Sequence, residues 1–233
     1  MMDIEFKDII IHNNTLHLTR NLDITVDEIN RQLNKIEYTG VGNQKIKGFE
    51  NSNVPPFIVA FYLFVLFKNK IPDEQQFLNT YITRFFLKKT NGEFTLREKY
   101  SKGYNCPDLS FKQLSTRPLR SYPSIIRDFH FYCLCKESNK FDELRYSLKD
   151  DYFVGHDLLV WKNNIKFAVD LFISSSRSMH FRKLKDSRHE STLTYQIELP
   201  LNPQNANNVN QFYLYDNKHI TLLNKEIDNH LKV

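Results

Sequence analysis

Asp170 interrupts an otherwise apolar strand, with Phe167-Ala168-Val169 before it and Leu171-Phe172-Ile173 after it. A carboxylate inside such a run is costly to bury unless it binds a metal, pairs with a cation or opens onto a wet cleft. The segment is read as a strand from Ile165 to Ser174, because β-branched and aromatic residues dominate it. Just upstream, Lys162-Asn163-Asn164 has the chemistry of a tight hairpin turn. Before that turn, Val154 to Trp161 reads as a second strand, with Asp157 after Gly155-His156 at its entry. The short hairpin brings Asp157 and Asp170 to the same end region of one sheet. Two carboxylates on adjacent strands suit Mg²⁺, or Mn²⁺ in its stead, since these ions take oxygen ligands and retain several waters. The plainer alternative for Asp157 is a strand-start acid that faces water or caps a turn. For Asp170 it is an outward position on a half-exposed strand.

The elements around this hairpin have a definite order. Pro123 to Cys135 reads as a helix with proline in its first turn and Ile126, Phe129 and Cys133 on its apolar face. Phe141 to Leu148 is a strand, and Lys149-Asp150-Asp151 a turn. After the hairpin, Ser174-Ser175-Ser176 supplies caps for a basic helix, Arg177 to Arg188. Leu193 to Leu199 is a fourth strand, Pro200 to Asn210 a loop, Phe212 to Tyr215 a fifth strand, and Leu222 to Leu231 a closing helix. Three antiparallel strands followed by a crossover helix predict an α/β (α+β) fold with one mixed central sheet.

Residues 1–120 form a mainly helical N-terminal region in this reading, and 121–233 the second domain. Ile4 to Leu18 reads as a small hairpin around Asn13-Asn14. Thr25 and Glu28 have capping-box spacing ahead of a helix from Val26 to Ile36, and Gly40, Gly42 and Gly48 mark a loop. Pro55-Pro56 precedes an apolar helix, Phe57 to Phe67, too short to span a bilayer, which takes about 20 residues. A further helix runs from Glu74 to Leu87, closed by Asn91-Gly92. Lys99 to Tyr122 is basic and loop-like: either a solvated linker or a strap whose Arg117 and Arg120 contact phosphates.

With these residues in view, the segment from Pro123 to Tyr215 resembles the PD-(D/E)XK nuclease superfamily. The likeness rests on the αβββαβ order, with one acid entering the second strand and another in the third. The resemblance implies a restriction-endonuclease-like core over residues 121–233, in which Asp157 and Asp170 are catalytic and hold Mg²⁺. It also implies phosphodiester hydrolysis of DNA in a restriction, defence or mobile-element setting. The family lysine would stand two residues after the second acid, where this chain has Phe172. The family is known to move that lysine to the following helix, where Lys183 and Lys185 are available, and Lys185 is favoured. Asp128 resembles the additional acid that some members carry on the preceding helix; its alternative is an ion pair with Arg127 or Arg177. Arg177, Arg182, Lys183 and Arg188 are expected on the nucleic-acid backbone, although a basic helix face is more often simply solvated.

The formal charge of +5 is compatible with a polyanionic partner, DNA first and RNA second. The phenylalanine at 172 also motivates a chain that keeps the fold, binds nucleic acid and has lost catalysis. A third reading is a protein-interaction subunit whose basic helix meets an acidic partner. A homodimer, or a protein partner held by the N-terminal region, fits each of these. Cys106, Cys133 and Cys135 form no CxxC pair, which suggests reduced thiols. Met1 to Asp8 lacks the cationic start and apolar run of a secretory signal, so a cytoplasmic location and no membrane association are expected. His156, His180 and His189, spaced 24 and 9 residues apart, match no standard zinc pattern. The absence of a Gly-x-Ser-x-Gly elbow argues against a serine hydrolase.

Overall fold

The structure is a computed structural model that describes residues 24–39, 57–85, 87–90, 93–96, 111–146, 156–174 and 195–232. The hairpin expected at Ile4 to Leu18, the loop at Gly40 to Gly48, the turn at 149–151 and the basic helix from Arg177 to Arg188 lie outside these residues. The described residues group into two compact units, one of 24–34 with 126–232 and one of 35–125. The first described helix belongs with the unit that holds residues 126–232.

That helix, α1 (Val26–Leu33), buries Val26, Ile29 and Leu33. Thr25 caps it by accepting a hydrogen bond from the Glu28 N–H at 3.2 Å. Glu28 does not return the bond; its side chain accepts from Gln32, one turn on. The backbone N–H of Val26 donates instead to Glu137, 111 residues away, at 2.7 Å.

In the unit of residues 35–125, α2 (Ile58–Lys68) and α3 (Glu74–Phe85) match the expected helices. The chain then departs from the helix and turn expected here. Strands β1 (Leu87–Thr90) and β2 (Glu93–Leu96) pair antiparallel on either side of Asn91-Gly92. Asn-Gly between two short runs with β-forming residues is a strong hairpin signal, and the helical periodicity before it masks that signal.

The next element corrects a larger expectation. α4 (Phe111–Ser138) is a single helix of 28 residues that carries Pro118 and Pro123 inside it. Lys112, Arg117 and Arg120 are therefore helical rather than part of a loop, while 97–110 lie outside the described residues. Each proline removes an intrahelical donor and favours a break. Packing overrides that preference: Leu119, Tyr122, Ile125 and Ile126 are buried along the helix. Tyr122 stacks on Phe77 at 5.5 Å and donates to the Pro72 carbonyl at 2.6 Å.

The C-terminal unit holds a four-stranded sheet of β3 (Glu143–Arg145), β4 (Leu158–Lys162), β5 (Ile165–Ile173) and β6 (Tyr195–Leu201), in that spatial order. β3–β4 and β4–β5 are antiparallel, and β5–β6 is parallel, so the fold is α+β with a mixed sheet. Asn163 and Asn164 form the turn between β4 and β5 at φ of 52° and 63°. Asparagine is among the few residues that adopt this left-handed region readily.

The fifth strand expected at Phe212 to Tyr215 is β8 (Phe212–Leu214), and among the described residues it pairs with β7 (Asn207–Val209) in a separate hairpin rather than with the main sheet. The final helix, α5 (Asn217–Leu231), starts five residues earlier than expected because Asp216 and His219 form a capping box. Register sets Leu158, Val160, Phe167, Val169, Leu171, Ile197 and Leu199 on one sheet face. α4 and α5 pack on that face. Phe129 and Tyr132 meet Tyr146 at 5.8 and 5.5 Å, and Lys162 donates to Asn224 and Asp228 at 2.7 Å each. No helix among the described residues is long and apolar enough to cross a membrane.

α1 is tied to α4 through His130, whose Nε2 lies 3.2 Å from the Asn30 side-chain oxygen. His130 is 1% exposed, and burial pushes its pKa down to about 4. The unfolded value is near 6.5, so between pH 6.5 and 4 the unfolded chain takes up a proton that the folded chain refuses. Stability from this group is therefore complete above about pH 6.5 and falls as the pH drops toward 4, by up to about 3 kcal/mol. Urea unfolding at pH 7.5 and pH 4.5 measures the loss. His130→Gln is expected to lose less on acidification than the native chain; an equal loss in both rules His130 out as the cause.

Candidate active site

The two predicted acids meet where β4 gives way to the bend that precedes it. Register pairs Leu158 with Val169, so one residue beyond the strand Asp157 stands across from Asp170. Two residues beyond, a continued ladder would pair His156 with Leu171. The Asp157 carboxylate supplies that bond instead, with Oδ2 accepting the Leu171 N–H at 2.7 Å. A backbone N–H in a buried strand must find an acceptor, and here a side chain completes the ladder that the turning chain leaves open. The capping reading of Asp157 is thus realised in part.

Asp170 is 8% exposed, in line with the burial inferred from its apolar neighbours. Its Oδ2 accepts from Gln196 Nε2 at 2.6 Å, and its Oδ1 lies 3.4 Å from His156 Nδ1. Asp170 is aligned with Glu198 in the parallel β5–β6 register, and Ala168 with Gln196, so Gln196 and Glu198 share its face of the sheet. Neither residue was singled out from the sequence. The signal was there, as a Gln-x-Glu alternation on a strand expected to neighbour the one with Asp170.

On the helical side of the same rim, Arg127 and Asp128 of α4 form an ion pair, Nε to Oδ1 at 3.0 Å. The ion-pair alternative for Asp128 is therefore observed. Arg127 is 5% exposed. Burial works against its charge, but the carboxylates of Asp128 and then Asp157 outweigh burial and raise its pKa above the ordinary arginine value. Tyr215 donates to the Leu199 carbonyl at 2.8 Å and reaches the Phe172 carbonyl at 3.3 Å. Burial holds its phenol well above the ordinary range, so it stays a donor. Phe131, one turn after Arg127, packs against Tyr215 with ring centres 4.7 Å apart and planes tilted by 43°. Arg127, Asp128, Tyr215 and Asp157 thus gather around the Leu171-Phe172 segment of β5.

No match was found among family models, curated proteins or solved structures.

Lys183, Lys185, Arg177, Arg182, Arg188, His180 and His189 all lie outside the described residues. Arg117 and Arg120 are half-buried on α4, with the Arg117 guanidinium 5.8 Å from the Phe57 ring centre. Among the described residues no group of three His, Cys, Asp or Glu side chains is arranged to hold a metal ion. Asp157 and Asp170 nevertheless fit a hard divalent cation in donor type, because Mg²⁺ commonly takes one or two carboxylates and fills the remaining positions with water and substrate phosphate. The buried thiols of Cys133 and Cys135 are both pushed above the ordinary thiol value, by burial first. They are inert positions of the core rather than nucleophiles.

Proposed function

We propose that this chain is a metal-dependent endonuclease that hydrolyses phosphodiester bonds of DNA, with RNA as the alternative substrate. The observation that carries the reading is that register sets Asp157, one residue before β4, across from Asp170 on β5, after a helix and within a mixed sheet whose fourth strand is parallel to the third. The described helix, three strands and parallel fourth strand are compatible with the αβββαβ order on which the resemblance to PD-(D/E)XK nucleases rests, while the helix expected between the last two strands lies outside the described residues. In this reading Asp157 and Asp170 hold Mg²⁺. The ion supplies charge stabilisation and a more acidic water. Gln196 and the Leu171 N–H fix the two carboxylates, so that each keeps one orientation. Lys185 orients the attacking water, and Arg177, Arg182, Lys183 and Arg188 grip the backbone; Arg117 and Arg120, in the other unit, are separate candidates for phosphate contact.

Supercoiled plasmid with Mg²⁺ or Mn²⁺ tests this directly. Nicked or linear product is expected from the native chain and none in EDTA. Phe172 in the lysine position favours one second reading, an inactive nucleic-acid-binding protein. Salt-sensitive DNA binding without cutting of duplex, single-stranded or RNA substrates would establish it instead. Absence of both binding and cutting would point to a protein-interaction subunit.

A further inference from the structure

Arg127 has more donors than its partners use. Among the described residues, its one hydrogen bond runs from Nε to Asp128. A guanidinium carries five N–H donors, so both Nη groups are left over. Neither Nη is among the buried polar atoms that lack a partner, so the outer fork opens onto solvent, where a ligand can meet it. Arg127 is not sealed in: its side chain keeps 6% exposure and that of Asp128 15%. It lies near the acid end of β5: its neighbour on the helix, Phe131, packs tilted against Tyr215, which reaches the Phe172 carbonyl, and Asp157 is close enough to act on its charge.

The sequence lacks a lysine at 172, next to the second acid. We propose that Arg127 supplies the missing cation: its Nη groups donate to a nonbridging oxygen of the phosphodiester beside Asp157. The inference rests on the nuclease reading. Asp128 turns the guanidinium through Nε and leaves the outer fork for the phosphate, a planar pattern that suits two oxygens at once. Charge builds on those oxygens as water attacks, so Arg127 acts mainly in the transition state.

The test compares native chain, Arg127→Lys and Arg127→Met in single-turnover plasmid cleavage with Mg²⁺, and in duplex binding with Ca²⁺ replacing Mg²⁺. Thermal midpoints are recorded alongside. Arg127→Met is expected to lose about 100-fold in cleavage rate, with duplex binding changed less than about threefold, because most phosphate contacts lie elsewhere. Arg127→Lys is expected to recover part of the rate, which a purely packing role would not produce. Native-like cleavage by Arg127→Met overturns the inference and leaves the nuclease reading intact. A second measurement covers a poorly folded variant and an inactive native chain. The side-chain Nε–H resonance of Arg127 is followed in the native protein as inorganic phosphate is added. A saturable shift supports the assignment, and no shift at tens of millimolar overturns it.

Discussion

Asp170→Asn is expected to reduce plasmid cleavage by more than about a hundredfold, the scale seen when a charge-stabilising group is lost from an active site, while leaving the melting temperature nearly unchanged. The asparagine retains an oxygen for Gln196 and removes only the charge. Asp157 calls for two variants, because its carboxylate has two separable tasks. Asp157→Asn keeps an acceptor for the Leu171 N–H and loses the charge. It is expected to cut no better than Asp170→Asn, with little loss of stability. Asp157→Ala also strands the Leu171 N–H, which adds roughly 1–3 kcal/mol of destabilisation. Cleavage rates beside urea midpoints separate these effects. Native cleavage by Asp157→Asn would reduce Asp157 to a strand cap and remove it from the chemistry.

Asp128→Ala should be the most damaging substitution for the fold. It removes the hydrogen-bonded partner of a guanidinium that is 5% exposed. Breaking a buried pair from one side typically costs about 3–5 kcal/mol, because the remaining charge stays buried. Asp157 lies close enough to raise the Arg127 pKa as well, so the lower end of that range applies. The loss is a large share of a total stability of about 5–15 kcal/mol. Replacing both partners by apolar residues, as in Arg127→Met with Asp128→Leu, is expected to restore most of it. Chemical denaturation of the single and double variants decides the matter. A single variant within about 0.5 kcal/mol of native would mean that the pair is solvated, as surface pairs are.

These residues also mark how far the sequence can be read. The β4–β5 hairpin was legible because Asn163-Asn164 is a local signal, and the apolar run around Asp170 carries its own burial. The start of α4 was not. Pro118 and Pro123 argue for a break, and tertiary packing overrides them, including that of Tyr122 on Phe77, 45 positions apart in sequence. The association of α1 with the C-terminal unit depends on Glu137 and His130, each at least 100 residues from its partner. The β8 segment looked like a sheet strand because its alternation is the same whichever strand it pairs with. At the site, Asp157 and Asp170 could be found as carboxylates in strands. Arg127 could not, because its nearness to Asp157 depends on how a helix lies on the sheet. Gln196 was hidden in the same way by the parallel register of β6.

The Leu171 N–H bond has one more effect. A free aspartate samples several rotamers and loses that freedom when it meets a ligand. Asp157 gives up this freedom when the sheet forms, since its carboxylate is the last rung of the ladder. Whatever binds beside it meets an acid already immobilised, and the entropic loss falls on folding rather than on capture.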